Sequence, residues 1–273
     1  MTSLRRAAPL LLTLALLPAC APKAQRLDAP IADDIQAGMT SGTTRFSHTA
    51  LDALLKRHVK QGGARVDYEG LRADSAKLRA YLGALSSADL KTLRSEELKA
   101  LLINAYNACT LELIVANKGV KSIREVDDPW DVKRCKVGGH TVSLNNIEHG
   151  LLRPIYKDPR VHFAVNCASV GCPPLRPEAF TGPRVEEQLE RATSDTLTDP
   201  AYARVESGAL KLTSILDWYG GDFTNPAYKG HAKTVAAYVA KYATEEVAAF
   251  IRAKDSKPDV VFLDYDWSLN EAK

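Results

Sequence analysis

The sequence predicts an α+β fold, a helix-rich single domain around a small antiparallel or mixed sheet. Three observations carry this. Stretches with apolar residues at helical spacing outnumber those with strand alternation. The strand-like stretches mostly come in pairs joined by tight glycine-containing turns, the mark of hairpins. Behind an N-terminal apolar segment, about 230 residues follow with no repeat and no second long apolar run, enough for one large core or two lobes.

The elements follow in order. Ser47 is placed to cap a helix over His48–Lys60, with Ala50, Leu51, Leu54, Leu55 and Val59 on one face. Gly62-Gly63 ends it, and Arg65–Tyr68 reads as a short strand. A second helix near Ser75–Leu85 carries Leu78, Tyr81, Leu82 and Leu85. The longest runs from Ser95 to about Lys118, where Gly119 stops it. Its stripe is Leu98, Leu101, Leu102, Ala105, Cys109 and Leu113, and beside it sit Asn104, Tyr106 and Asn107. Asparagine is a poor helix former, so two of them three apart mid-helix point to buried hydrogen bonds with a neighbouring loop.

Lys133–Val137, Gly138-Gly139 and His140–Ser143 form a hairpin signal. Ser143 then caps a helix over Leu144–Ile155 that carries Glu148, His149, Arg153 and Pro154. Asp158-Pro159 turns into a strand in which Val161, Phe163 and Val165 alternate with His162, Ala164 and Asn166. It runs into Cys167-Ala168-Ser169-Val170-Gly171-Cys172 and stops at Pro173-Pro174. Arg184–Leu197 reads as a polar helix, and Tyr202–Glu206 with Ala209–Leu212 as a second hairpin. A short helix over Ser214–Tyr219 precedes Gly220-Gly221-Asp222-Phe223. Helices over His231–Lys241 and Glu245–Ala253 and a strand over Val260–Tyr265 complete the set.

The chain opens as an export signal. Arg5 and Arg6 precede the apolar run Leu10–Leu17, which is too short to span a bilayer. It ends Leu17-Pro18-Ala19-Cys20, similar to a bacterial lipobox, so Cys20 is the expected lipidation site; ordinary signal cleavage near Ala19 or Ala21 is the competing reading. The expected organisation is a lipoprotein signal peptide over 1–19, a flexible tether over 20–44 and a globular domain over 45–273. Ala21 in place of Asp implies transfer to the outer membrane, hence a periplasmic, lipid-anchored protein of a Gram-negative bacterium. Residues 1–19 hold two arginines and no acids, so their removal lowers the formal charge from +3 to +1. That balance argues against nucleic-acid or polybasic membrane surfaces and leaves the lipid as the only membrane contact.

Several motifs occur together: Asn104-Ala-Tyr106-Asn107, Ile147-Glu148-His149, His162-Phe-Ala-Val-Asn166-Cys167-Ala-Ser169, and Cys172-Pro173. Trp218-Tyr219 with Asp222-Phe223, and Tyr265-Asp-Trp267-Ser-Leu-Asn270, accompany them. Over about residues 45–270 this pattern resembles the family catalogued as domain of unknown function 547, found in exported bacterial proteins and in some plant and animal proteins. The resemblance implies no reaction and no substrate.

The chemistry is therefore read from the residues. Cys167 suits a thiolate nucleophile of an amide- or thioester-cleaving hydrolase or acyl transferase, activated by an imidazole. His162 on a strand would stand about 15 Å away at ~3.3 Å per residue, so His149 is the preferred base. Glu148 or Asn104 would orient the ring. Asn107, Tyr106, Asn166, Ser169, Arg153 and Asp222 are the candidate binding residues for a small-molecule or peptide substrate. The competing reading is a Cys167–Cys172 disulfide that stiffens the loop of a non-catalytic periplasmic binding or assembly module. A metal held by His162, Cys167 and Cys172 lacks the usual close ligand spacing, so no metal or other cofactor is expected. Cys109 reads as a buried core residue, Cys135 has no evident partner, and His48, His140 and His231 read as solvated. Trp218, Tyr219 and Trp267 read as core anchors.

Overall fold

The computed structural model describes residues 29–272. The expected signal segment, Cys20 and the first residues of the expected tether lie outside them. From Ala29 on, the stretch expected as a tether is helix α1 (Ala29–Ser41). Ile31 and Ile35, one turn apart, are both buried. Gly38 and Gly42 leave no room for a Cβ against the carbonyls of Leu90 and Leu93. Small residues that resemble a linker thus serve close packing.

Helix α2 (Thr49–His58) leads into the short antiparallel pair β1 (Val59–Lys60) and β2 (Arg65–Val66). In α3 (Tyr68–Ala73) the Asp67 carboxylate caps the start by accepting the Gly70 N–H, and α4 (Ser75–Ser86) follows. His48, expected in solvent, is buried ahead of α2, its Nδ1 2.7 Å from the Tyr81 hydroxyl. Helix α5 (Ser95–Ala116) is the axis of the fold. Nearly every side chain from Glu97 to Val115 is buried, as befits a helix covered on all sides rather than along one stripe. It is long and apolar enough to cross a membrane, yet 78% of that apolar stretch lies inside the fold.

The hairpin β3 (Cys135–Val137) and β4 (His140–Val142) forms at the predicted glycine turn, with Cys135 opposite Val142. A disulfide joins Cys109 of α5 to Cys135 of β3, Cα–Cα 5.8 Å. Cys135 thus has a partner that sequence did not show, and Cys109, expected only to fill the core, is bridged where helix and hairpin meet. His140, also expected in solvent, is half-buried with Nε2 2.9 Å from Asp34.

Two neighbouring segments depart from expectation. Asn146–Tyr156 coils as a π-helix instead of an α-helix over Leu144–Ile155. Pro154 lies inside it; proline has no N–H to donate and crowds the preceding turn, which a wider coil relieves. Pro159–Phe163 is a 3-10 helix capped by Asp158, not a strand. Its alternation has another origin: Val161 and Val165 pack into the core around α5, whereas Phe163 packs into a second core. A segment wedged between two cores shows the same period-2 pattern as one face of a sheet.

The second core lies under α6 (Val185–Thr198) and a three-stranded mixed sheet. There β6 (Ala209–Leu212) pairs antiparallel with β5 (Ala203–Glu206) and parallel with β7 (Val260–Phe262). Between β6 and β7 run α7 (Ile215–Trp218), α8 (Gly220–Thr224), α9 (Val235–Val239) and α10 (Glu245–Ala253). The helix expected over His231–Lys241 is confined to α9, which starts where Thr234 accepts the Ala237 N–H. The fold is α+β and helix-rich, with three small sheets among the described residues in place of one.

Candidate functional site

The residues singled out by chemistry gather around the loop that leaves the 3-10 segment. Asn166 organises this loop. Its Oδ1 accepts the Ala168 N–H at 2.8 Å, and its Nδ2 donates to the Pro173 carbonyl at 2.9 Å, tying the loop's two ends together. Ala168 adopts φ +64°, an uncommon conformation for a residue with a Cβ, and is fully buried. Asn270 fastens the loop from outside: its N–H donates to the Ala168 carbonyl at 3.0 Å, and its Oδ1 accepts the Tyr68 hydroxyl at 2.7 Å. Ser169 is buried and bridges to Leu269.

The α5 asparagines hold backbone. Asn107 donates to the Ala164 carbonyl at 2.9 Å and accepts the Asn166 N–H at 2.9 Å. Asn104 makes the same double bond to Phe180, donating to its carbonyl at 2.7 Å and accepting its N–H at 3.0 Å. Both functions of the Asn104 amide are thereby used, so it is a clamp for Phe180 rather than an orienter of an imidazole.

A second group forms a buried charged cluster. Arg153 and Glu148 project from the π-helix, His162 from the 3-10 helix and Asp222 from α8. Asp222 accepts from Arg153 at 2.7 and 2.9 Å in a bidentate pair. His162 Nε2 also meets Asp222, at 2.8 Å, while its Nδ1 faces Glu148 at 3.5 Å without a hydrogen bond. Tyr219 closes the cluster, with His162 stacked on its ring and the Arg153 guanidinium 4.9 Å from its centroid. Burial pushes the carboxyls of Glu148 and Asp222 upward, but the surrounding cations outweigh it and hold both below their usual values. His149 is lowered, chiefly by burial, and its Nδ1 lies 3.1 Å from Arg153. Tyr106 is buried beside Glu148, and burial pushes its hydroxyl far up.

The cysteines stand apart from these rings. Cys167 and Cys172 form a disulfide, Cα–Cα 6.3 Å. The Cys167 N–H points at Cys172 Sγ at 2.9 Å, and the Tyr265 hydroxyl donates to the same sulfur at 2.9 Å while lying 3.2 Å from Cys167 Sγ. Gly171 permits this approach, since a Cβ there would press on the Tyr265 ring at 3.0 Å. No hydrogen bond of His149 or His162 reaches either sulfur; both rings turn to the charged cluster instead. The expected Cys–His–acid set is thus not assembled around Cys167. A metal held by His162, Cys167 and Cys172 is equally unsupported, because His162 faces two carboxylates and the sulfurs bond to each other.

An aromatic face reaches the disulfide through Tyr265, and sequence reasoning missed it. Trp218 stacks on Trp267 at 5.9 Å, Tyr265 lies 4.8 Å from Trp218 and 4.5 Å from Trp267, and Trp130 meets Trp267 edge-on. Trp218 is 39% exposed, so these rings are no simple core anchors. All three tryptophans of the chain lie in this face. A cleft of about 150 Å³ adjoins it, lined among others by Gly171, Tyr202, Ser214, Asp264, Tyr265 and Asp266. The available signal was the clustering of Tyr265 and Trp267 near Asn270, which local pattern could not connect to Cys167.

No curated protein and no solved structure matches the chain. A family model matches residues 90–196, which include Asn104, Asn107, Glu148, His149, His162, Cys167 and Cys172 but not Asp222 or Tyr265. Over that stretch the chain matches the family described as protein of unknown function, DUF547.

Proposed function

We propose that this chain is an exported, lipid-anchored binding or assembly module of the periplasm, which holds a polypeptide segment bearing basic side chains against its aromatic face. The observation that carries this reading is the joint placement of the Cys167–Cys172 disulfide and the half-exposed rings of Trp218, Tyr265 and Trp267. The bridge stiffens the loop under the rings, and a rigid surface loses less entropy on binding. Aromatic faces with Asp264 and Asp266 lining the adjoining cleft suit a cation. The Leu-Pro-Ala-Cys20 signal end supports export and anchoring.

Because every tryptophan lies in the face, tryptophan fluorescence, excited selectively over the ten tyrosines, reports on it alone. Short lysine- and arginine-containing peptides should give a saturable change that Trp218→Ala abolishes, and acidic peptides of the same length should give none. A flat titration with the basic peptides overturns the binding reading. Anchoring is tested separately: Cys20→Ser should move the protein from membranes into the soluble periplasmic fraction.

A Cys167-dependent hydrolase or acyl transferase is the second reading. It is supported by the charged cluster, because Tyr265 touches both sulfurs and also senses Glu148 and Tyr219 electrostatically. Alkylation without reductant separates the two. The binding reading expects no label on Cys167, and a labelled Cys167 favours the enzyme.

A further inference from the structure

The molecule carries two disulfides in opposite settings. Cys109–Cys135 ties α5 to β3 in the core, and its Cys135 sulfur faces a carbonyl oxygen, that of Ala105, at 3.9 Å. Negative charge on that sulfur would be repelled. Cys172 Sγ instead faces two donors, the Cys167 N–H and the Tyr265 hydroxyl, each at 2.9 Å. Burial pushes the Tyr265 hydroxyl well above its usual pKa, so it keeps its proton. The two sulfurs of this bridge also differ in access: Cys167 is half-buried, whereas Cys172 is 5% exposed. An accessible sulfur bonded to a buried one that is already provided with donors is the arrangement that thiol–disulfide exchange requires.

We propose that Cys167–Cys172 is an exchange-active disulfide that oxidises dithiols. One thiolate of the dithiol attacks Cys167 Sγ, forming a mixed disulfide. The Cys167–Cys172 bond breaks and its electron pair departs on Cys172 Sγ, where the Cys167 N–H and Tyr265 hydroxyl hold the charge. The dithiol's second thiolate then attacks its own sulfur in the mixed disulfide and displaces Cys167 as a thiolate. The dithiol leaves as a disulfide, having lost two electrons and two protons; the protein gains them as two thiols. Asn166 supports both states, because its bonds to Ala168 and Pro173 hold the loop ends together when the sulfur bridge is open. Tyr265 acts here as a positioning residue for the leaving sulfur. This activity goes beyond the binding reading and does not depend on whether a basic peptide occupies the aromatic face.

The test uses the full protein with both bridges intact. Limiting dithiothreitol is added, free thiols are alkylated at intervals, and the labelled cysteines are mapped by mass spectrometry. Cys167 and Cys172 should acquire label at least ~10-fold faster than Cys109 and Cys135. Cys172→Ser treated with glutathione disulfide should accumulate a single adduct at Cys167, and Cys167→Ser should form little adduct at Cys172. Tyr265→Phe should slow the reduction several-fold and raise the pH at which reduced Cys172 alkylates, a change that loss of packing alone would not produce. Equal reduction rates for the two bridges in the unaltered protein would overturn the proposal, as would faster adduct formation at Cys172 than at Cys167.

Discussion

The imidazole of His162 lies flat on the ring of Tyr219, 4.0 Å between centroids and 12° between planes. That stacking aims Nε2 at Asp222, which also receives both arms of the Arg153 fork. Two elements therefore converge on the carboxylate of a third.

Removing that carboxylate's charge strands Arg153 in a half-buried site. Asp222→Asn should cost about 3 kcal/mol at pH 7, the usual order for breaking a buried pair. The folded pKa of Asp222 is depressed, so its contribution is fully present above the ordinary aspartate value near ~3.9 and is lost as pH falls below it. Urea unfolding at pH 7 and pH 3 should show the gap between variant and wild type narrowing in acid. A gap that stays constant would place the stabilisation elsewhere than on this charge.

His48 sets a second pH dependence. Burial lowers its folded pKa to about 4, and its Nε2 has no hydrogen-bond partner, so protonation forces a cation into an apolar site. The stability it allows is complete above about pH 6.5 and declines as pH falls toward 4, by as much as about 3 kcal/mol. His48→Phe should flatten that part of the stability–pH curve. An unchanged slope between pH 6.5 and 4 would show that His48 charges without penalty.

The α5 asparagines each satisfy an N–H and a carbonyl of distant backbone. Asn104→Ala and Asn107→Ala should each cost ~1–3 kcal/mol in denaturant unfolding, because both backbone partners stay buried. The two losses should differ in place: Asn104→Ala loosens Phe180, and Asn107→Ala loosens Ala164 and Asn166. Hydrogen exchange at those amides reads the difference.

The disulfides differ in what they constrain. Cys109 and Cys135 are 26 residues apart and Cys167 and Cys172 only 5. On chain-entropy grounds the longer loop contributes on the order of 3–4 kcal/mol and the shorter about 2 kcal/mol. A Cys109→Ala, Cys135→Ala double variant should therefore unfold at lower denaturant than a Cys167→Ala, Cys172→Ala one. The reverse order would assign the short loop a larger structural part.

Much of the framework was legible because its signals are local. The hairpin of Cys135–Val142 follows from Gly138-Gly139, and the α5 boundaries from Ser95 and Gly119. The misread stretches have partners that sequence does not display. The stretch expected as a tether carries Gly38 and Gly42, whose missing side chains let it pack as a helix against the carbonyls of Leu90 and Leu93. Val161 and Phe163 looked like one face of a strand because they enter two different cores. At the site, Glu148, His162, Cys167 and Asp222 were visible as a concentration of reactive types, but not their pairing. His162 went to a carboxylate and His149 to Arg153, and Cys167 found Tyr265 across 98 residues of sequence, a separation that no motif spacing encodes.

Asn270 joins residues that are remote in the chain: Tyr68, 202 positions away, and Asn166, 104 away. Contacts closing loops of that size cost more chain entropy than local ones. The cysteine pairs are closer in sequence. Cys167 and Cys172 can meet as soon as their own short stretch has been synthesised, well before Asn270 and Tyr265 arrive. Along the chain the four bridged cysteines stand in the order Cys109, Cys135, Cys167 and Cys172, so joining each to its consecutive partner already yields both native bridges without any choice made by the fold.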